Sequence, residues 1–296
     1  MPGRVWVTGA TGYLGTHIVP ALTARGHDVI ALVRDPAGAA RRRDLAGCRF
    51  HAGDLLSPLT LRGAADGVDT VIHLVGILRE RGAQTFESVV VDGTTAVVAE
   101  ARRAGVRRLL FVSAIGADAG DPAPYLRSKG RAEELIRGSG LEWLVLRCSL
   151  VLGERGEFLR LLRRLTGPLP VVPVPGHGRY RLQPVHVADV AEIAARACER
   201  PDLWNATYPV CGPRAYELRE LLRQVAGRRP RLFVPVPWPL LWAGAQLMQW
   251  LLPSPPVTPG ELTLLARGNT CDPRVTEAAF GLALRPVEGL LAGEGG

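Results

Sequence analysis

The sequence predicts an α/β fold, a doubly wound parallel sheet with a smaller, partly discontinuous C-terminal lobe. Short, nearly continuous apolar segments alternate with longer amphipathic ones through the first half of the chain, as parallel strands covered by helices on both faces require. A glycine-rich turn joins the first apolar segment to the first amphipathic one. After Arg147 the alternation stops and prolines accumulate.

The elements follow from hydrophobic periodicity in order. Arg4–Thr8 reads as a buried strand, followed by a helix from about Tyr13 to Ala24 and a second strand at Asp28–Val33. Strands at Arg49–His51 and Thr70–Val75 precede a long helix through Glu87–Ala104. Arg107–Val112 is a strand, Tyr125–Arg137 a helix and Glu142–Arg147 a strand. Prolines then cluster at Pro168–Pro175, Pro230–Pro239 and Pro253–Pro259, with short elements at Val187–Cys198 and Leu218–Ala226 between them. Two domains are expected, 1–150 and 151–296, with residues about 180–200 packing back on the first.

The chain has 296 residues, of which 47% are hydrophobic and 22% charged, an ordinary globular composition. A net charge of +8, carried mostly by arginine, admits phosphorylated ligands, anionic lipid or nucleic acid. No nucleic-acid module or aromatic stacking pattern accompanies it, so a small-molecule substrate is expected and nucleic acid is not. The five cysteines are scattered, odd in number and lack metal-ligand spacing. They predict reduced thiols, no metal site and a cytoplasmic protein. Met1 is followed almost at once by Val5-Trp6-Val7, so no signal peptide is expected.

The turn reads Gly9-Ala10-Thr11-Gly12-Tyr13-Leu14-Gly15. Between a strand and a helix, this is the Rossmann-type phosphate turn. Gly9 allows the tight bend, Gly12 lets backbone approach a pyrophosphate and Gly15 lets the helix pack close to the sheet. The helix start supplies free N–H groups and a favourable dipole. Residues 1–150 are therefore expected to bind a nicotinamide dinucleotide. The second strand ends without an acidic residue for the ribose 2′-hydroxyl; Val33 cannot make that bond, and Arg34 can pair with a 2′-phosphate. NADP(H) is favoured over NAD(H), against the counter-argument that Asp35 can neutralise Arg34. Asp54, before Leu55, either accepts from the adenine amino group or caps a turn. Val75 and Gly76 let backbone pass the adenosine ribose, while His73 reads as a satisfied buried histidine more readily than as a catalyst.

Gly9–Gly15, Gly53-Asp54, His73–Gly76 and Asp92-Gly93-Thr94 resemble the extended and atypical short-chain dehydrogenase/reductases. The blocks Tyr125–Glu133 and Gln183–Ala191 are similar to the atypical subgroup that contains the 39-kDa accessory subunit of respiratory complex I and its bacterial relatives. The resemblance implies Ser113, Tyr125 and Lys129 as the catalytic set. Tyr125 and Lys129 are four apart on one helix face. An ammonium beside the phenol is expected to lower the tyrosine pKa, so that it exchanges a proton with a carbonyl or alcohol oxygen. Lys129 can also bond the nicotinamide ribose, and Ser113, at a strand end, can polarise the substrate oxygen. Only eleven residues separate Ser113 from Tyr125, and Cys148 stands where many relatives carry proline.

Three functions follow: an oxidoreductase acting on a carbonyl or alcohol of a substrate that includes lipophilic candidates; a non-catalytic NADPH-binding accessory or assembly subunit of a respiratory complex; and a nucleotide-sugar epimerase or dehydratase. In the second lobe, Arg155–Leu165 is a basic amphipathic helix, expected to be a solvated face over a core. Leu232–Gly260 holds no charged residue. Its helical part is too short to span a bilayer and is expected to be buried, with peripheral attachment to the inner face of a membrane as the alternative.

Overall fold

The computed structural model describes residues 2–167, 170–227, 231–252, 255 and 257–292. Pro168, Pro230 and Pro253, which bound the expected proline clusters, lie outside the described residues. The chain divides into two units. The first comprises Met1–Cys148, Val187–Val210 and Arg274–Ala283; the second comprises Ser149–His186, Cys211–Pro273 and Leu284–Gly296.

The first unit is built on a seven-stranded parallel sheet. Its strands are β1 (Arg4–Thr8), β2 (Asp28–Val33), β3 (Arg49–Ala52), β4 (Thr70–His73), β5 (Arg108–Ala114), β6 (Glu142–Cys148) and β7 (Ala206–Val210). They lie in the order β7-β6-β5-β4-β1-β2-β3. The direction of winding reverses between β1 and β4, which opens a crevice at their carboxyl ends. Val71 pairs with Trp6 on one side and Leu109 on the other, so these large side chains share one sheet face. They join a core with Val97 and Ala101 of α2 (Gly93–Arg103) and with Ala132 and Ile136 of α3 (Pro124–Arg137). α1 (Gly15–Ala24) packs against the helix Val187–Glu199, and Arg25, just beyond α1, is 2.7 Å from Glu192 on that helix.

Two features depart from the sequence pattern. The expected single helix over Glu87–Ala104 opens with a π-helical stretch at Glu87–Asp92 before α2 begins. The strand β7, which extends the sheet beyond β6, was not expected at all.

The second unit joins short strand pairs to helices. Val171–Pro175 pairs in parallel with Leu232–Val236, and Arg181–Leu182 pairs antiparallel with Tyr216–Glu217. Its core includes Leu159 and Leu162 of α4 (Glu157–Leu165) and Leu218, Leu221 and Leu222 of α5 (Leu218–Ala226). The basic helix thus buries its apolar side inside this unit. The helix of the uncharged stretch, α6 (Trp238–Leu251), does not: only Ala245 on it is buried. The expectation of a buried helix is corrected here, because composition alone does not determine whether an apolar helix finds a neighbour to cover it.

The expectation of reduced thiols is also corrected for one pair. Cys211 and Cys271 form a disulfide with Cα atoms 6.1 Å apart. Buried Gln183 draws their segments together by donating to the Gly212 carbonyl at 2.7 Å and accepting from the Cys271 amide at 3.0 Å. Cys48, Cys148 and Cys198 remain free.

Candidate functional site

The glycine turn sits at the switch point between β1 and β4. Gly9 has φ +75°, and a Cβ there would lie 3.1 Å from Val75 and 3.3 Å from the Leu74 backbone. Any side chain would therefore be strained and crowd the end of β4. A Cβ on Gly15 would lie 2.3 Å from the Ala10 carbonyl oxygen, so α1 can start close to the turn only with glycine there. Near Gly12, a Cβ would meet only the Gly9 carbonyl oxygen, at 3.2 Å. Thr11 is exposed, Leu14 is half-buried, and the Tyr13 hydroxyl is buried without a hydrogen-bond partner among the described residues. Burial also raises the Tyr13 pKa. A glycine cradle, a helix N-terminus and an orphaned hydroxyl together fit a dinucleotide pyrophosphate.

Arg42 belongs to the run Arg41-Arg42-Arg43, which the sequence reads first as a solvated loop and otherwise as added positive potential. It donates to the Thr11 carbonyl at 3.0 Å while its guanidinium pairs with Asp44 at 2.8 Å, which brings a cation to the glycine turn. Arg34 is exposed and makes no ion pair among the described residues. Asp35 caps the short helix Pro36–Ala40 by accepting from the Gly38 amide at 3.0 Å. Asp54 accepts from the Leu56 amide at 3.1 Å, a local turn, and Leu55 joins the hydrophobic core.

His73 is fully buried at the end of β4. Its Nε2 is 3.0 Å from Thr94 Oγ1 and its Nδ1 is 2.6 Å from Thr8 Oγ1. Thr94 gives its hydroxyl proton to the Val90 carbonyl, so it accepts from Nε2–H, while Thr8 donates to Nδ1. The ring is thus neutral with both nitrogens occupied. Burial, reinforced by the Lys129 charge, pushes its pKa down to about 3.

Lys129 lies at the next strand end. Its ammonium donates to the Val112 carbonyl at 2.9 Å and sits 4.6 Å above the Phe111 ring. A Cβ on Gly76 would be 2.9 Å from Nζ, so the glycine also makes room for the lysine. Burial brings the Lys129 pKa down to about 8, against opposing contributions from Cys148 and Glu133. One helical turn earlier, the Tyr125 ring makes an edge contact with Phe86, with centroids 5.9 Å apart. Its pKa rises to about 12 through burial and then through Cys148. The expected lowering of the tyrosine pKa by Lys129 is corrected: the ammonium is directed at Val112 and Phe111, and desolvation of the phenol dominates. The buried Cys148 thiol is itself raised to about 12 by burial, opposed by Lys129. Tyr125, Lys129 and Cys148 thus share one electrostatic neighbourhood.

Ser113 makes a different connection. Its Oγ donates to Glu133 Oε1 at 2.6 Å. Glu133 is completely buried and is also bonded by Arg147 at 2.7 Å and Arg137 at 2.6 Å. The Ser113 proton is therefore engaged in an ion-pair network between α3 and the sheet. The residue after it on β5 is Ala114, which has no polar side-chain atom.

A parallel sheet that reverses its winding at a glycine turn defines a dinucleotide-binding α/β protein. The chain belongs to the NAD(P)H-binding family, whose profile matches residues 9–201. It is 32% identical over 252 residues to the ceramide reductase of Caulobacter vibrioides, covering 84% of this chain and 78% of that protein. It is 31% identical over 245 residues to the mouse (Mus musculus) mitochondrial NADH dehydrogenase (ubiquinone) 1 alpha subcomplex subunit 9, covering 80% of this chain but only 65% of that subunit's length. A nucleoside-diphosphate-sugar epimerase from Staphylococcus aureus superposes with a TM-score of 0.79 over 98% of this chain and 99% of that one, at 20% identity. This last likeness shows the fold.

Proposed function

We propose that this protein is an NADPH-dependent reductase of a carbonyl on a lipophilic substrate. The observation that carries the reading is the pair on α3 formed by half-buried Tyr125 and buried Lys129, at the carboxyl edge beside the glycine turn. When bound, the reduced nicotinamide supplies hydride. Tyr125, with its pKa raised to about 12, keeps its proton at neutral pH. It is suited to donating that proton to a carbonyl oxygen as the oxygen gains charge. Accepting a proton from an alcohol would require the phenolate that burial disfavours, so the resting protonation state suits the reductive step. Lys129, at a pKa of about 8, remains mostly charged at neutral pH and would supply a donor to a nicotinamide ribose. The preference for NADPH rests on Arg34, which is exposed and makes no ion pair among the described residues while Asp35 is engaged as a helix cap. A lipophilic substrate is in keeping with the relative named ceramide reductase. It also fits a cytoplasmic protein placed peripherally on the inner face of the membrane, as the exposed apolar helix α6 favours.

The test incubates the protein with stereospecifically deuterated NADPH and long-chain ketones or quinones, comparing wild type, Tyr125→Phe and Arg34→Ala. Label transfer that disappears in Tyr125→Phe is expected. Arg34→Ala is expected to weaken NADPH binding and leave NADH binding unchanged; an equal loss for both would remove the 2′-phosphate role. A second reading, a non-catalytic NADPH-binding subunit of a respiratory complex, draws on the mouse relative and on Ser113 being committed to Glu133. Tight NADPH binding without label transfer to any substrate would select it.

A further inference from the structure

We infer that the second unit carries a binding site for the phosphate headgroup of an anionic phospholipid, placed at the start of an interfacial helix. The inference rests on the peripheral membrane placement proposed above and assigns residues to it.

The site is a solvent-open cavity of about 460 Å³ lined by Gly176, His177, Arg179, Arg219, Pro235 and Pro237. Its volume is in the range of small-ligand sites. Its three basic side chains have no carboxylate partner: neither Arg179 nor Arg219 makes an ion pair among the described residues, and Arg219 Nε is buried without a hydrogen-bond acceptor. A buried guanidinium nitrogen lacking an acceptor is an unusual and costly arrangement that an anionic oxygen would relieve. The Arg179 amide donates to His177 Nδ1 at 3.0 Å, which leaves the other ring nitrogen as the protonated donor. The walls are held in place. Arg219 donates its own amide to the Gly178 carbonyl at 3.0 Å, and the Gly176 amide donates to the Val236 carbonyl at 2.9 Å. Gly176 has φ +54°, and a Cβ there would collide with Tyr180 and Trp238.

The cavity is joined directly to α6. His177 stacks on Tyr180 with centroids 4.6 Å apart, and the Trp238 indole N–H donates to the Tyr180 hydroxyl. Pro237, on the cavity wall, is the N-cap of α6, and Trp238 is its first residue. The positive end of a 14-residue helix therefore lies at the cavity.

Along α6, Leu240, Ala243, Leu247, Trp250 and Leu251 recur at i, i+3, i+7, i+10 and i+11, which places them on one face. All five are exposed, Trp250 by 91%. The face opposite holds Ala245, the buried residue. No charged side chain occurs from Leu232 to Gly260. Among the described residues no helix is long and apolar enough to cross a membrane. An apolar stripe ending in an unpaired cationic cavity is complementary to a bilayer surface, with acyl chains along the stripe and phosphate at its end. A protein partner for the stripe alone would leave those cations unexplained.

The experiment measures flotation of the full chain with phosphatidylcholine vesicles, with and without phosphatidylglycerol. Wild type, Arg179→Gln/Arg219→Gln and Trp250→Ser are compared, with NADPH binding as the folding control. Wild type is expected to float only with phosphatidylglycerol, and less so at high salt. The double arginine variant should lose about thirtyfold in partitioning, from about fivefold per cation near the surface. Trp250→Ser should also weaken binding and reduce quenching by brominated acyl chains. Wild-type flotation by the double arginine variant overturns the headgroup site while leaving peripheral placement standing. No flotation of wild type overturns both. Binding of inorganic phosphate or glycerol phosphate without flotation assigns the cavity to a soluble phosphorylated ligand and overturns the lipid assignment. A Trp250-dependent dimer that does not float assigns the stripe to a second copy and overturns it as well.

Discussion

Replacing Ser113 by alanine separates two accounts of the same hydroxyl. In the structure its proton goes to Glu133 Oε1 at 2.6 Å, inside a network with no solvent access to the carboxylate. A hydrogen bond to a charged group contributes about 1.5–3 kcal/mol. Arg137 and Arg147 keep the carboxylate paired when the hydroxyl is gone, so the penalty of an isolated buried charge does not arise. Ser113→Ala should therefore destabilise the fold by about 2 kcal/mol, near the middle of that range. Urea unfolding should show a lower midpoint with an unchanged slope. NADPH affinity and label transfer should stay within about twofold of wild type, a change worth under half a kcal/mol. Glu133→Gln is the companion perturbation. It leaves two arginines facing a neutral amide, and breaking a buried pair typically costs about 3–5 kcal/mol. In a double-mutant cycle the two substitutions should be non-additive, because Ser113 has lost its charged acceptor once Glu133 is neutral. An unchanged unfolding midpoint, together with a hundredfold loss of label transfer in Ser113→Ala, would refute this reasoning and return the hydroxyl to the substrate.

Three further expectations follow. Gly15→Ala forces a Cβ to within 2.3 Å of the Ala10 carbonyl oxygen, so NADPH affinity should fall by at least about tenfold as the turn opens; wild-type affinity in a fluorescence titration would contradict the cradle. Lys129 carries its charge below a pKa of about 8 and loses it above, so NADPH affinity should fall as pH rises through that value, and Lys129→Met should flatten the profile. Stability should move the other way between about 8 and 10.5, because the unfolded lysine still binds the proton that the folded state has released. His73 is held neutral down to a pKa of about 3, against 6.5 when unfolded, so the unfolded chain gains a proton first on acidification. Unfolding free energy should therefore drop by about 1.4 kcal/mol per pH unit below the unfolded pKa on this account. Urea titrations across pH should show this as a contribution absent from a His73→Asn variant.

The parallel sheet and its glycine turn were legible because both are local. Apolar runs such as Val5-Trp6-Val7 and the spacing of Gly9, Gly12 and Gly15 reflect constraints within a few residues of themselves. β7 was not legible, because its sequence, Ala-Thr-Tyr-Pro-Val, is half-buried over most of its length and carries a proline; only the exposed edge of β6 makes it a strand. The exposure of α6 was hidden for the complementary reason. A helix without charges reads as core, and what leaves it uncovered is the arrangement of the unit around it. The proton chemistry occupies a middle ground. The four-residue spacing that links Tyr125 to Lys129 continues to Glu133, so all three side chains occupy one stripe of α3. Followed to its end, that stripe names the partner of Ser113, because a carboxylate facing the sheet in the middle of a helix must find donors, and Ser113 and Arg147 stand opposite each other on β5 and β6. Spacing could therefore reveal the network but not the direction of the pKa shift at its upper end. Whether a phenol beside a lysine becomes more or less acidic depends on where the ammonium points and how much water reaches the ring. Here Gly76 gives Lys129 the room to turn toward Val112, and Tyr125 keeps its proton.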